Sequence, residues 1–395
     1  MEDIGRVAFN GSLSTDAKVA QLVDICRGFV AQARVPALID FALFVVEKLG
    51  ESSPVTHPVL DAFVSSLSTL ESNDDLGQVC RRTLDLLQHN VGYYAQNVLD
   101  ISVLISEVQQ ADEDWLGAAK TLAAVDLETH GQFSPDTKLD VLLRIAELFL
   151  AAEDGVSASR YVARAHRLIT LATGQELIVR HKSAYARVLD YERKFMEASL
   201  RYLSLAQTDA PELVSESDQV EALQHAITCA ILAAAGPSRS RVLALLYSDS
   251  RVRGLPNFSL LEAMFQDRII DAAQQNAFKA LLKPHQNADL SGGSTVLKRA
   301  ILEHNMLATS KLYHNIRLVD LSERLNISSS EAEQIACRMI EEGRMRGQID
   351  QIDGIITFDS GNASPLLSWD NQIMSFCSSL NDAADRVADL QHVKA

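Results

Sequence analysis

The sequence predicts an all-α solenoid of helical hairpins, followed by a winged-helix module with a small β hairpin and by a C-terminal helix suited to bundle assembly. Three observations carry this prediction. Amphipathic helical segments recur with a spacing of 40 residues in the middle of the chain. Asp353-Gly354 lies between two short apolar runs, which is a strong hairpin signal. A heptad pattern of large apolar residues follows the hairpin.

Composition is typical of a globular protein and argues against general phosphate binding. Of 395 residues, 47% are hydrophobic and 22% are charged, which allows a sizeable core. The net charge of −16 opposes nucleic-acid binding, which depends on Lys and Arg displacing counterions. The 5 cysteines include no C-x-x-C pair, as expected of reduced thiols inside a cell. No signal-peptide pattern opens the sequence, and no apolar run approaches the ~20 residues of a membrane span, so no membrane partner is expected.

The first helices are predicted from apolar spacing and capping residues. Apolar residues at helical spacing indicate a helix from Thr15 to Ala33 and, after Pro36, a second from Leu38 to Leu49. Ser134-Pro135 predicts an N-cap followed by proline at the first helical position. An apolar stripe comes next, formed by Leu139, Leu142, Leu143, Ala146, Phe149 and Leu150.

Large and small residues repeat together along the middle of the chain. Three triplets share the offsets 0, 3 and 7 at intervals of 40 residues: Trp115, Ala118 and Leu122; Gly155, Ala158 and Val162; Phe195, Ala198 and Tyr202. Large residues packing over a small one allow neighbouring helices to stack closely. A helical period near 40 residues predicts an α-solenoid similar to tetratricopeptide repeats. The alternative is that amphipathic helices of similar length recur by chance.

A helix, a loop and a second helix are predicted before the winged helix. The first helix spans residues 259–282, and the polar Gly/Ser-rich loop spans residues 284–294. The last loop residue, Ser294, is expected to cap a helix from Thr295 to about Ala308. On that helix we expect Glu303 at the surface and His304 at the edge of the core with a hydrogen-bond partner.

Residues 311–358 fit the plan of a winged helix. Apolar spacing predicts a helix over 318–325, and Ser328 with Glu331 predicts a capping box opening a second helix that Gly343 ends. A two-residue turn at Asp353-Gly354 would pair Ile349 with Phe358, Gln351 with Ile356, and Ile352 with Ile355. Ile349, Ile356 and Phe358 would then face the helices. The opposite face and the tip form a candidate partner interface, the wing: Gln348, Asp350, Ile352, Ile355 and Thr357.

Charge favours a protein partner for this module. From Thr295 to Asp359 the chain has 8 Lys and Arg against 10 Asp and Glu. The predicted recognition helix would expose Glu333, Glu341 and Glu342, where a major-groove reader needs basic or amide side chains. Arg344 and Arg346 are interpreted as a solvated helix end. No nucleic-acid partner is therefore expected.

The C-terminal helix is predicted to carry a second partner interface. Ser364-Pro365 opens it, and its apolar residues alternate at spacings of 3 and 4: Leu366, Trp369, Ile373, Phe376, Leu380, Ala383, Val387 and Leu390. Polar residues flank this a/d seam. An exposed apolar stripe usually marks a partner, although the helix could instead fold back onto its own chain.

No motif for catalysis, a cofactor or a metal is found in the sequence. It contains no G-x-G, no Gly-Lys-Ser/Thr and no G-x-S-x-G. The 10 histidines include no H-x-H and no H-E-x-x-H. We therefore predict no enzyme activity, no cofactor and no metal in this chain.

The order of helical hairpins, winged helix and terminal helix resembles the PCI-domain family, whose members are subunits of the proteasome lid, the COP9 signalosome and translation initiation complexes. Five segments carry the resemblance, and they favour the signalosome branch: residues 187–199, 260–270, 281–286, 303–316 and 342–358. The resemblance extends from about Leu139 onward and is weaker near the N-terminus.

This resemblance implies a non-catalytic scaffold in a complex that removes a ubiquitin-like modifier from cullins. The implied partners are other PCI subunits, the metalloprotease-domain subunits of the signalosome and a cullin-RING ubiquitin ligase, in the nucleus and cytoplasm. It also implies a regulatory loop that touches the metalloprotease pair and holds it inactive until substrate binds. That loop would include Asn287, Asp289, Ser291, Gly292 and Gly293.

Two alternatives stay open at this point, and both assign the module another partner. One is a PCI subunit of the proteasome lid or of a translation initiation complex. The other is a nucleic-acid-binding winged-helix protein. In each case the predicted domains are a helical-repeat arm over 1–255, a linker helix and loop over 256–294, a winged helix over 295–360 and a C-terminal helix over 364–395.

Overall fold

The computed structural model describes residues 14–32, 34–49, 55–70, 72–88, 92–128, 133–171, 173–208, 213–287, 295–358, 369 and 373–380. These residues form helices and one small sheet, so the predicted fold class is confirmed. Contacts group the chain into two units, Met1–Glu192 with Ala210–Leu213 and Arg193–Asp209 with Val214–Ala395. These units do not test the predicted domain limits. Among the described helices, none has the length and apolar character to cross a membrane.

The first unit is a succession of helices packed on two apolar clusters. Its helices are α1 Thr15–Ala31, α2 Val35–Phe44, α3 Thr56–Leu67, α4 Asn73–Leu87, α5 Ala95–Ala111, α6 Trp115–Ala123, α7 Pro135–Ala151, α8 Gly155–Leu168 and α9 Gln175–Tyr191. A π-helical turn, Val45–Leu49, extends α2, and a 3-10 turn, Ile169–Leu171, extends α8. One cluster joins α1 to α5 and the other joins α5 to α9.

Local sequence signals placed several of these helices correctly. Ser134 caps α7 and accepts a hydrogen bond from the Thr137 amide, with Pro135 in the first turn as predicted. The apolar stripe predicted behind Ser134 is buried along α7. α1 ends at Ala31, two residues before the predicted end, and Pro36 lies in the first turn of α2, where proline needs no amide donor.

The 40-residue period is visible in the backbone as well as in the side chains. α6, α8 and α10 (Phe195–Ala206) each begin two residues after a residue in the left-handed region: Glu113, Glu153 and Arg193, with φ of 61°, 61° and 60°. The small residues at offset 3 are fully buried: Ala118, Ala158 and Ala198. Trp115 departs from the pattern, since 37% of it is exposed. The repeat therefore conserves a turn and a close packing position.

The second unit begins with α10 and contains the winged helix. Its further elements are α11 Glu216–Leu232, α12 Pro237–Ser248, α13 Phe258–Phe265, α14 Ala272–Lys279, α15 Val296–Leu312, β1 Asn315–Arg317, α16 Leu318–Leu325, α17 Ser329–Glu341, β2 Gly347–Asp350 and β3 Ile355–Phe358. Two 3-10 turns lie at Ser250–Gly254 and Pro284–Asn287. Residues 373–380 are also helical.

The prediction of one helix over 259–282 is wrong. α13 ends at Phe265 because Asp267 adopts φ 53° and the Arg268 amide bonds back to the Ala263 carbonyl. α14 then starts with a capping box between Asp271 and Gln274. The cap of α15 is also one residue later than predicted, because Thr295 accepts the Lys298 amide.

The sheet has the order β1-β3-β2, with antiparallel pairing throughout. The predicted hairpin register is wrong by two residues, since Ile349 pairs with Ile356 and Asp350 with Ile355. The Asp350 carboxylate accepts the Ile352 and Asp353 amides at 2.9 and 3.2 Å, which ends β2 early and leaves a four-residue turn. A shift of two keeps each side chain on its predicted face.

The winged helix has a core of its own that continues into the preceding helices. Ile356 and Phe358, 0% and 1% exposed, pack with residues of α16 and α17 as predicted. Met306 of α15 and Ala235, between α11 and α12, belong to the same cluster. The winged helix is therefore continuous with the helices that precede it.

Candidate protein interaction site

The wing presents a single strongly exposed apolar side chain. Ile352 lies in the turn between β2 and β3 and is 96% exposed. It does not pair with Ile355, contrary to the prediction, because Ile355 is half-buried and lies opposite Asp350 and Arg317. The turn is held by the Asp350 carboxylate, and the neighbouring Gln351 amide donates to Glu333 of α17 at 2.6 Å.

The remaining predicted wing residues lie on the solvent face of the sheet. Gln348 and Thr357 are exposed and directly opposite each other on β2 and β3. With Asp350 and Ile352 they form a polar surface whose tip is apolar. Small apolar anchors surrounded by polar groups are common in protein interfaces.

The sequence did not reveal β1, and no described strand pairs with its outer side, so the described sheet has an open edge there. Phe358 donates its amide to the His314 carbonyl, and Leu318 donates to Gly354. Residues 314 and 318 therefore bond toward β3, and the alternation of an antiparallel ladder turns the amides and carbonyls of Asn315 and Arg317 outward. A strand from another protein can pair with such an edge.

The described part of the C-terminal seam is exposed. Trp369, Ile373, Phe376 and Leu380 are between 50% and 68% exposed, and residues 373–380 are helical as predicted. Covering side chains of this size contributes roughly 1.5–3 kcal/mol each. Leu366 and Val387, also predicted to lie on this seam, are outside the described residues.

The predicted regulatory loop is largely outside the described residues. Asn287 ends the 3-10 turn Pro284–Asn287, in which the Gln286 side chain is buried and accepts the Lys283 amide. Asp289, Ser291, Gly292 and Gly293 are not described. The loop contact therefore stays a prediction.

Glu303 and Arg344 form a buried ion pair, which corrects two expectations. Glu303 is 3% exposed and does not lie at the surface. Arg344 is not a solvated helix end, because it donates to both Glu303 oxygens at 2.5 and 3.3 Å. Arg344 also donates to the Ala235 carbonyl at 3.2 Å, and the Ala235 amide donates to Glu303 at 3.2 Å.

His304 and Arg239 extend this cluster into α12. Arg239, 2% exposed, donates to the Ala233 carbonyl and to His304 Nδ1, both at 3.2 Å. His304 Nε2 donates to the Arg268 carbonyl at 2.9 Å, so the predicted partner of this histidine is confirmed, at a fully buried position. Burial, with the Arg239 charge second, lowers the pKa of His304 to about 4. His304 is therefore neutral at physiological pH.

The part of the chain that the structure describes contains no candidate metal site. No three His, Cys, Asp or Glu side chains there are close enough to hold a metal ion. The described residues instead offer three surfaces for a protein partner: the wing tip, the seam and the outer edge of β1.

Helical hairpins that lead into a winged helix are the order of elements in PCI-domain subunits, and comparison with known families agrees. Residues 267–360 match the PCI domain, and residues 10–213 match the family described as PSMD12/CSN4, N-terminal. The protein is thus a PCI-domain protein.

Full-length relatives define the branch of this family. COP9 signalosome complex subunit 4 of Drosophila melanogaster is 37% identical over 390 residues, which cover 98% of this chain and 93% of the relative. The same subunit of Dictyostelium discoideum is 37% identical over 88% of this chain and 87% of the relative, and that of Arabidopsis thaliana is 36% identical over 89% and 90%. The chain belongs to the COP9 signalosome subunit 4 family, which confirms the resemblance to the signalosome branch.

Proposed function

We propose that this chain is a non-catalytic scaffold subunit of a COP9 signalosome. In this role it supports the removal of a ubiquitin-like modifier from cullins by assembling the complex and positioning the cullin-RING ligase. The observation that carries the proposal is the pair of exposed apolar features at one end of the chain, Ile352 and the seam from Trp369 to Leu380. A protein that works alone gains nothing from exposing them.

The proposal assigns each partner to a surface of this chain. Other PCI subunits meet the wing and the sheet edge at β1, and the seam enters a helical bundle. The loop that begins at Asn287 contacts the metalloprotease-domain subunits, and the helical arm faces the cullin-RING ligase. The complex acts in the nucleus and cytoplasm.

Ile352→Asp tests the wing contact. Covering an isoleucine at an interface contributes roughly 1.5–3 kcal/mol, so we expect this substitution to weaken association with partner subunits about 10- to 100-fold. Binding of the purified full-length variant to the remaining subunits is measured by surface plasmon resonance. Val156→Asp is the matched control, because Val156 is 80% exposed at the start of α8 and is not a residue of the wing.

Circular dichroism separates misfolding from a lost contact. A folded Ile352→Asp variant that binds the partner subunits as tightly as the control contradicts the wing contact. If both variants lose binding to the same extent, the added surface charge explains the loss, and the wing is not an interface.

A further inference from the structure

The Glu303–Arg344 ion pair closes a ring of hydrogen bonds between three separate parts of the chain. Glu303 lies in α15, Arg344 in the connection from α17 to β2, and Ala235 in the loop between α11 and α12. We propose that this ring, here called the polar joint, sets the orientation of the winged helix on α11 and α12. Glu303 and Arg344 are then positioning residues.

Every member of the polar joint bonds to both others. Arg344 Nη1 reaches Glu303 Oε2 at 2.5 Å and the Ala235 carbonyl at 3.2 Å, and the Ala235 amide donates to the same Glu303 oxygen at 3.2 Å. Hydrogen bonds are directional and short-ranged, so a closed ring fixes three distances at once. Apolar packing of Ala235 against Met306 and its neighbours is non-directional and tolerates sliding.

Stability alone does not account for an ion pair at this position. The side chains of Arg344 and Glu303 are only 14% and 4% exposed, so both charges have lost most of their hydration. Buried ion pairs can often be replaced by apolar residues of similar volume without loss of stability. What such a replacement removes is directionality, which is the property the polar joint supplies.

Other charged side chains lie close to Glu303 and Arg344, so removing either residue alone leaves an unbalanced charge in the polar joint. Arg299 lies 3.9 Å from Glu303, and Glu342 accepts from Arg344 Nε at 2.6 Å. The Glu303 carboxylate also attracts the buried Arg239 guanidinium electrostatically. Removing Glu303 alone leaves the buried Arg239 and Arg344 side chains without this carboxylate, so a single substitution changes both orientation and stability. The double replacement by apolar residues is the informative change.

The test compares the wild type with a double variant that carries both Glu303→Leu and Arg344→Met. We expect the double variant to unfold at a lower temperature than the wild type, because Ala235 is buried and its amide and carbonyl lose these partners. Circular dichroism checks that the variant is folded at the temperature of the distance measurement. Double electron–electron resonance measures the distance between two spin labels and so reports the orientation. One label is on the exposed Cys337 of α17, and the other is on a cysteine introduced in α12 by Arg241→Cys. Cys377→Ser removes the other exposed thiol.

A narrow distance distribution is expected for the wild type, and a shifted or second maximum for the double variant. Arg346→Met combined with Glu323→Leu is the matched control, since both side chains are exposed in the winged helix. An unchanged distribution in the folded double variant overturns the proposal. If the double variant does not fold, Arg344→Lys replaces it, because lysine keeps the charge but lacks the planar fork. An unchanged distribution in that variant likewise overturns the proposal.

The consequence of the polar joint for assembly rests on the proposed function, because the wing meets its partner in the orientation that the joint holds. The distance measurement uses this chain alone. A negative result there leaves the scaffold role standing, and a failure of the scaffold role leaves the joint standing.

Discussion

His304 is held in one protonation state by the groups around it. Arg239 donates to Nδ1, so that nitrogen must carry a lone pair, and Nε2 carries the proton that bonds to the Arg268 carbonyl. A second proton would place an N–H against a guanidinium in a site without water access. Burial and the Arg239 charge therefore lower the pKa of His304 to about 4.

This lowered pKa makes stability depend on pH. The unfolded chain takes up a proton on His304 near its ordinary pKa of about 6.5, whereas the folded chain does so only near pH 4. The contribution of neutral His304 is complete above about pH 6.5 and is lost as the pH falls toward 4, up to about 3 kcal/mol. Urea unfolding of the full-length protein at about pH 7.5 and 4.5 measures it.

His304→Gln provides the control, because an amide can donate and accept but does not titrate in this range. We expect the variant to lose less stability than the wild type between the two pH values. Equal losses in both proteins would show that other groups cause the acid sensitivity.

At the level of single residues, sequence reasoning succeeded where the signal was local. The Ser134 cap, and the presence of a hydrogen-bond partner for His304, were predicted correctly. Glu303 and Arg344 were misplaced because they are 41 residues apart in sequence, and their shared partner Ala235 lies 68 and 109 residues before them. The available signal was that Ala300 and Met306, which lie three residues to either side of Glu303, are apolar, yet this signal identified no partner.

At the level of elements, the 40-residue period predicted the solenoid because it records a physical requirement. A left-handed turn residue must precede each second helix, and a small side chain must lie where the helices approach closely. β1 was missed since three residues give too short a pattern. The hairpin register was missed because the Asp350 side chain, rather than the Asp-Gly turn, determines where β2 ends.

The seam on the C-terminal helix is the element whose role is most easily tested. Phe376 is 68% exposed at a seam position, so Phe376→Asp should prevent incorporation of this chain into a reconstituted complex while leaving its own fold intact. Ser378→Asp adds the same charge on the opposite side of the helix and should have no effect. Size-exclusion chromatography of the mixed subunits reports incorporation.

Truncation before Ser364 is a second arm of the same experiment. A truncated chain that folds and still enters the complex normally contradicts bundle assembly through this helix. Loss of incorporation in the Ser378→Asp control would show that charge alone, rather than the seam, decides the outcome.

For the whole molecule, charge and surface agree on a protein partner. The net charge of −16 and the exposed Glu341 and Glu342 beside the wing oppose contact with phosphates. Ile352 at the wing tip and the seam residues Trp369 and Phe376 are instead among the most exposed large apolar side chains of the described residues. The sequence predicted this division, since composition and periodicity are properties of long segments. It left out the polar joint, which depends on contacts between distant segments.

In the function that we propose, this chain assembles and positions a deneddylating complex without catalysing the reaction. The most direct measurement is cleavage of a cullin conjugate by a reconstituted signalosome, with and without this chain. We predict that the chain alone cleaves nothing, that its omission lowers cleavage, and that wild type restores cleavage whereas the combined Ile352→Asp and Phe376→Asp variant does not. Full-rate cleavage without this chain, or cleavage by the chain alone, would contradict the claim.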